Sequence, residues 1–323
     1  MRRRDFVWAI VSSTVAWPLA ARAQGPGRHY RIGILTPSPR QSPAVAAFLD
    51  ELSRNGFDAG QNLIILPGGF AYRNDQIKSL VASLVAASPD AIDAAPQLPL
   101  LALQKATRTI PVIGMTEDMV GEGFAASLAR PGGNITGISL LTPELDGKRQ
   151  EILIDAVPGL KKIAMMADAN TAKPEHLAEL QKAGESRGLE VVLRSVAKRE
   201  DVIATIQDVK AAGAQAVNFL ASPMFSVNPG AFTAELTNLG LASIFQWPED
   251  AEAGALLGYG PRITDVYRMR GAMMAQVLRG AAPADIPIEL PAKFQLVVNL
   301  KTAKAIGVEV ANNVLLFAEK VVE

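Results

Sequence analysis

Cysteine is absent from all 323 residues, which excludes disulfides, thiol nucleophiles, thiolate metal sites and a lipid-modified N-terminal cysteine. Histidine is nearly absent as well, with only His29 and His176. Neither has a nucleophile in local register, His176 reads as an exposed helical residue beside Glu175 and Glu179, and no Gly-x-Ser-x-Gly elbow occurs. No Gly-x-Gly-x-x-Gly follows a strand-like run, no Gly-Lys-Ser/Thr phosphate loop is present, and Gly121-Glu122-Gly123 is too short to count as either. The adjacent pair Glu117-Asp118 is the one weak candidate for acid–base chemistry. Net charge is also lacking, with 32 basic and 32 acidic side chains and no basic block, so there is no footprint for nucleic acid or anionic lipid. Beyond the N-terminal segment no apolar run reaches the roughly 18 residues of a membrane span.

What is present begins with that segment. Met1-Arg2-Arg3-Arg4 leads into an apolar stretch from Phe6 to Ala20, then Ala21-Arg22-Ala23 before Gln24. A positive start, an apolar middle and a small-x-small end make a secretory leader cleaved after Ala23. The apolar part, about 15 residues with Pro18 inside it, is short of the roughly 20 a spanning helix needs. Arg3-Arg4-Asp5-Phe6-Val7 resembles a twin-arginine export motif, with the general secretory route as the alternative. Residues 1–23 hold four arginines and one aspartate, so the remainder carries 28 basic and 31 acidic residues and is slightly acidic. An exported protein in the periplasm, not a lipoprotein, is expected.

From residue 30 short β-rich runs alternate with longer helical ones. Arg31–Leu35 reads as a strand, Ala44–Asn55 as a helix ended by Gly56, Asn62–Leu66 as a strand and Asp75–Ala87 as a helix. Ala91–Asp93, Leu100–Thr107 and Ile110–Gly114 continue the alternation. The order then recurs: Lys162–Met166 stands where Arg31–Leu35 stood, 131 positions later, and Gly188-Leu189 matches Gly56-Phe57. Near-continuous apolar strands alternating with helices predict parallel sheets covered on both faces, and two copies predict two similar lobes. The fold class is α/β, with two Rossmann-like lobes. Residues 28–139 plus about 256–288 are assigned to lobe 1, and residues 140–255 plus about 289–323 to lobe 2. Ligands of open parallel sheets bind beyond the C-terminal strand ends, so two such lobes on a hinge predict a cleft that closes on a small molecule.

The most specific stretch runs from Ser127-Leu128-Ala129-Arg130-Pro131-Gly132-Gly133-Asn134-Ile135-Thr136-Gly137 through Leu141-Thr142-Pro143-Glu144-Leu145-Asp146-Gly147-Lys148-Arg149 to Ala156-Val157-Pro158-Gly159-Leu160. With Gly258-Tyr259-Gly260-Pro261 and Lys293-Phe294-Gln295-Leu296-Val297-Val298-Asn299-Leu300, it resembles the ABC-transporter solute-binding protein family with a type I periplasmic-binding fold. That family includes receptors for tryptophan and phenylalanine. On residues alone, the long motif reads as a turn and crossover, since glycine and proline supply geometry and not ligand chemistry. The resemblance implies a multi-crossover hinge, no catalysis, no cofactor, and delivery of a small-molecule ligand to an ABC permease by a monomer. A subunit presenting its closed form to a membrane sensor would look the same, and a cytoplasmic regulator of this fold would lack the leader. A hydrolase-type enzyme is the remote alternative.

The resemblance also implies a cleft lined by loops after equivalent strands: Thr36 and Ser38, Pro96 and Gln97, and Thr116 and Glu117 in lobe 1, then Asp168 and Asn170, Ser222 and Met224, Trp247 and Glu249 in lobe 2, with Tyr259 at a strand end. Thr36 and Ser38 offer hydroxyls to a carboxylate, with Ser38 equally readable as a helix cap. Trp247, the only tryptophan beyond residue 23, is the candidate for stacking on a ring. Glu117, Asp118, Asp168 and Glu249 give an acidic cast suited to a ligand ammonium. The family commonly has Trp-Asn-Pro where this chain has Ala167-Asp168-Ala169, and Asp-Pro where it has Asp118-Met119, so the ligand of the relatives does not transfer automatically. An amino acid or an aromatic carboxylate is favoured, and a nucleoside-like ligand is the third option.

Overall fold

The computed structural model describes residues 28–140, 142–226 and 229–323. The expected leader and its cleavage site lie outside the described residues. A first sheet is built from β1 (Tyr30–Leu35), β2 (Leu63–Ile65), β3 (Ala91–Ala94), β4 (Val112–Thr116) and β5 (Ile135–Ser139), in the order β2-β1-β3-β4-β5 and parallel throughout. Helices α1 (Pro43–Arg54), α2 (Ile77–Ala86) and α3 (Gln97–Ala106) fill the intervals. Local chemistry explains their starts and stops. Ser42 caps α1 by accepting from Val45 N at 3.3 Å, Pro43 needs no N–H in the first turn, and Val45, Phe48 and Leu52 bury one stripe.

The second half repeats the scheme. Helix α4 (Thr142–Ala156) leads to β6 (Lys162–Asp168), α5 (Pro174–Ser186), β7 (Glu190–Val196), α6 (Val202–Ala211), β8 (Ala216–Phe219), α7 (Pro223–Ser226), α8 (Gly230–Asn238), β9 (Ala242–Phe245) and α9 (Pro248–Glu252). Then follow β10 (Leu257–Gly260), α10 (Ile263–Leu278), β11 (Gln295–Asn299), α11 (Leu300–Ile306), α12 (Asn312–Leu316) and β12 (Lys320–Val322). The seven strands lie in the order β12-β11-β10-β9-β8-β6-β7, with β10 and β11 the antiparallel pair. The expected α/β class with two parallel-dominated sheets is what the chain adopts.

The lobe assignment needs one adjustment. Sequence places the return to the first unit at about residue 256, but Leu257 and Gly258 pair with Ile244 and Phe245 of β9, and Leu257–Gly260 pairs with β11. These four residues belong to the second sheet. The chain crosses back only afterwards, when α10 packs on α1 and buries Val266, Tyr267, Met273 and Met274 in the core shared with Phe48 and Leu52. Ile286 to Glu289 then runs beside β5, where Thr136 Oγ1 donates to Ile286 O at 2.7 Å and Ser139 N to Glu289 O at 3.0 Å. The chain thus passes between the two sheets three times, near residues 140, 261 and 290.

Candidate functional site

The C-terminal ends of the first sheet gather hydroxyls and one buried ion pair. Thr36, immediately after β1, is fully buried, and its Oγ1 lies 2.9 Å from the Tyr267 hydroxyl and accepts from Ser38 N at 3.2 Å. Ser38 Oγ stands 3.3 Å from the same tyrosine oxygen. Beneath that ring, 4.4 Å from its centroid, sits the Arg270 guanidinium, which gives Nε to Asp93 Oδ1 at 2.9 Å and Nη2 to Asp93 Oδ2. Arg270 Nη1 is buried and makes no hydrogen bond of normal geometry among the described residues, although Tyr267 faces the guanidinium. Tyr72 donates to Ala95 O at 2.8 Å, and burial pushes its hydroxyl well above the usual phenol range.

The other half of the site lies where the units meet. Glu117 follows β4, and although the residue is partly exposed, its Oε2 is shielded and without a partner among the described residues. Burial, then the nearby Asp146 carboxylate, pushes Glu117 up to about 8, against the pull of Arg149, with Glu122 adding to the rise and Gln246 beside it countering. Asp146 and Arg149 come from the first turns of α4, which rest on the strand ends of the second sheet. Asp146 Oδ1 accepts from Ala221 N at 3.0 Å and from Arg149 Nη2, and its Oδ2 lies 3.1 Å from His176 Nε2. Arg149 is fully buried, gives Nη1 to Tyr259 O at 3.3 Å, and leaves Nε unpartnered. Thr116 and Gln97 face the Glu122 carboxyl, yet Thr116 Oγ1 and Glu122 Oε2 lack hydrogen bonds of normal geometry. Glu249 is similar: both carboxylate oxygens are shielded, burial raises its pKa, and Arg262 Nη1 stays 3.7 Å away. Asp250, fully buried, accepts from Trp247 N at 3.2 Å and is pushed far above the carboxylate range by desolvation.

Buried polar groups are nearly always paired, so the unpaired atoms of Glu117, Glu122 and Arg149 single out this junction as the candidate site. Their chemistry is dominated by acceptors. Residues 39–322 match the family model described as ABC transporter substrate binding protein. The chain belongs to that family.

A tyrosine-binding protein from Clostridioides difficile (strain R20291) is 25% identical over 289 residues, covering 86% of this chain and 81% of that one. Among solved structures, the ABC domain in complex with L-Trp from Streptococcus pneumonia shares the fold with a TM-score of 0.79 at 22% identity, covering 91% of this chain and all of that one. A conserved domain protein from Vibrio cholerae is similar with a TM-score of 0.80 at 22% identity, again over 91% of this chain and 100% of that one. A ligand-free, open substrate-binding protein from Clostridium difficile aligns with a TM-score of 0.63 at 21% identity over 92% of this chain and 99% of that one.

Within this ABC transporter substrate-binding protein, the residues singled out from sequence divide into groups. Thr36, Ser38, Gln97, Thr116, Glu117 and Glu249 reach the two polar clusters just described, and Pro96 follows Ala95 through a cis peptide directly above β3. Asp168 does not offer a free carboxylate: Oδ1 accepts from Asn170 N and Nδ2, each at 2.9 Å, and Oδ2 from Ser222 Oγ at 2.6 Å. These three residues close the loop after β6 upon themselves. Met224 packs against the core of Phe219, Phe225 and Phe232 on the second unit. Tyr259 lends its carbonyl to Arg149, while its ring lies 6.4 Å from Phe294 at the β10–β11 edge. Trp247, only 6% exposed, belongs to the first unit's core cluster although its backbone belongs to the second unit. Sequence reading misses Asp146, Arg149, Asp250, Tyr267 and Arg270. It also takes His176 for an exposed residue, although the ring is 18% exposed and faces Asp146. Among the described residues no group of three metal-binding side chains occurs and no helix is long and apolar enough to cross a membrane. A surface groove of about 640 Å³ at the opposite end of the second sheet, bordered by Val157, Gln215, Gly240 and Val308, contains none of the site residues.

Proposed function

We propose that this protein captures an α-amino acid between its two units and presents the closed form to an ABC permease, from the periplasm after cleavage of the leader, and without catalysis. The observation that carries this reading is the Glu117 carboxylate, shielded at the junction with Oε2 unpartnered. Around it stand the carboxylates of Asp146 and Glu122 against the single guanidinium of Arg149. Such an excess of acceptors is poorly tolerated when buried and calls for a ligand that brings positive charge and several N–H donors. An ammonium group supplies both. The ligands named for the relatives, tyrosine and L-Trp, carry such a group. Because the acceptors come from both units, the ligand meets its full set of partners only when the units are together, which is the differential affinity that drives closure.

The test is a thermal-shift screen of the residue 24–323 chain against the twenty amino acids, aromatic carboxylates and nucleosides, with native mass spectrometry for bound molecules. Stabilisation that grows with the concentration of one amino acid, as linkage requires, supports the reading. Stabilisation by carboxylates lacking an amine, with none from amino acids, overturns it.

A further inference from the structure

The three hydroxyls of the first unit form a chain with a fixed direction. Thr36, Tyr267 and Ser38 carry three O–H donors but make only two mutual contacts, at 2.9 Å and 3.3 Å. Thr36 is fully buried, and the Tyr267 oxygen is its hydroxyl's sole acceptor among the described residues. Thr36 Oγ1 is itself occupied as acceptor by Ser38 N. A buried donor left unmade is costly, so the Thr36 proton goes to Tyr267. The Tyr267 proton then goes to Ser38, and the one hydroxyl hydrogen left over sits on Ser38, the partly exposed member of the three. Each bond in such a series polarises the next. The Arg270 guanidinium over the Tyr267 ring, held by Asp93 and facing the tyrosine hydroxyl, adds positive potential at the root of the chain.

We infer that Ser38 presents this outward hydrogen to the carboxylate of the ligand and that Tyr267 is the positioning residue that makes it do so. The inference rests on the proposed amino-acid reading and extends it: the ligand lies with its carboxylate on the first unit's hydroxyl chain and its ammonium toward Glu117. Positions 38 and 267 act as one device, since Ser38 without Tyr267 loses the acceptor-side partner that turns its hydrogen outward.

The experiment is calorimetric titration with matched pairs differing only in the carboxylate: L-tyrosine with tyramine, L-tryptophan with tryptamine, L-phenylalanine with phenethylamine. Wild type, Ser38→Ala, Tyr267→Phe and the double variant are compared. Tyr267→Phe keeps the ring over Arg270, so packing is preserved. A hydrogen bond to an ionised group predicts that each single variant weakens the amino acid roughly tenfold to a hundredfold, leaves the amine unchanged, and that the double variant is no worse than either single. Equal weakening of acid and amine, additive losses, or no loss in either variant overturns the inference while the proposed function stands. Failure of all twenty amino acids, these three included, to bind the wild type overturns the proposed function and this inference together.

Discussion

Arg270 on α10 donates Nε to Asp93 Oδ1 on β3 at 2.9 Å, and neither side chain is open to solvent. The pair joins the middle strand of the first sheet to a helix that the chain reaches only after completing strand β10 of the second. It therefore fixes α10, which follows one passage between the sheets, to the first sheet. A buried pair of this kind adds little net stability over a well-packed apolar substitute, but a half-removed one is severe.

Arg270→Met is thus expected to lower unfolding stability by about 3–5 kcal/mol, because Asp93, whose carboxyl burial already pushes up, is left in the core without its partner. Adding Asp93→Ala to the same protein should recover part of that loss. Chemical denaturation of the two variants checks the order, and a double variant less stable than Arg270→Met would refute the account.

The pH behaviour follows from Glu117. Its pKa in the present arrangement is about 8, raised by burial first and by Asp146 second, against roughly 4.3 when solvated. With this value raised, the arrangement in which Glu117 is shielded beside Asp146 binds the extra proton between these limits, so its stability is fully present at low pH and is lost as pH rises from about 4.5 to 8. Small-angle scattering of the ligand-free protein should show a more extended particle at pH 8.5 than at pH 5. Glu117→Gln should stay compact across the range, and a radius of gyration independent of pH in the wild type would sink this reading.

Trp247 offers a direct view of the hinge. It is the sole tryptophan after residue 23, and it is buried in a cluster to which Tyr267, Val266 and Ile138 of the first unit belong. Separation of the units would bring its ring toward water. Emission from the residue 24–323 chain should therefore shift to the blue as ligand is added. Trp247→Ala should weaken binding and also lower stability by about 3–5 kcal/mol, the usual loss for deleting a buried indole. Unchanged affinity with normal stability would leave the ring without either role.

The alternation of strands and helices is legible because it depends on local period: short apolar runs, a glycine after several helices (Gly56, Gly188, Gly213, Gly240), and the second copy 131 positions on. The polar face of the site is not. Asp146, Arg149 and Gln150 sit in a mixed, charged helix whose sequence gives no sign that this face is buried, and their partners Ala221 and Tyr259 lie 75 and 110 positions away. Asp168 shows the same limit from the other side. Its place at a strand end is readable, but its capture by Ser222, 54 residues distant, is not. Trp247 is located correctly after β9, while the core cluster it joins is built mainly from the first unit, which only the third dimension brings near.

The glycines of the stretch from Ser127 to Gly137 separate into those that geometry requires and those that it does not. Gly137 has φ +150°, and a Cβ there would meet Gly114 O at 2.0 Å and Gly114 N at 2.6 Å. Those are backbone atoms of the paired strand, in register with Gly137 itself, and they cannot swing aside as a side chain would. On its other side β5 is held by Glu289 N donating to Gly137 O at 3.0 Å, so the strand has no room to retreat. Gly137→Ala must push β5 from β4, at a loss of about 1–3 kcal/mol or more, and the disturbance reaches Thr116 and Glu117 at the end of β4. Gly133, by contrast, would carry a methyl with nothing within 4 Å of it, on a backbone outside the left-handed region, so Gly133→Ala should fall within about 0.5 kcal/mol of wild type. Thermal unfolding and ligand titration of the pair decide the matter. If Gly133→Ala were as damaging as Gly137→Ala, the stretch would have to be read as a binding surface and not as a close strand contact leading into the hinge.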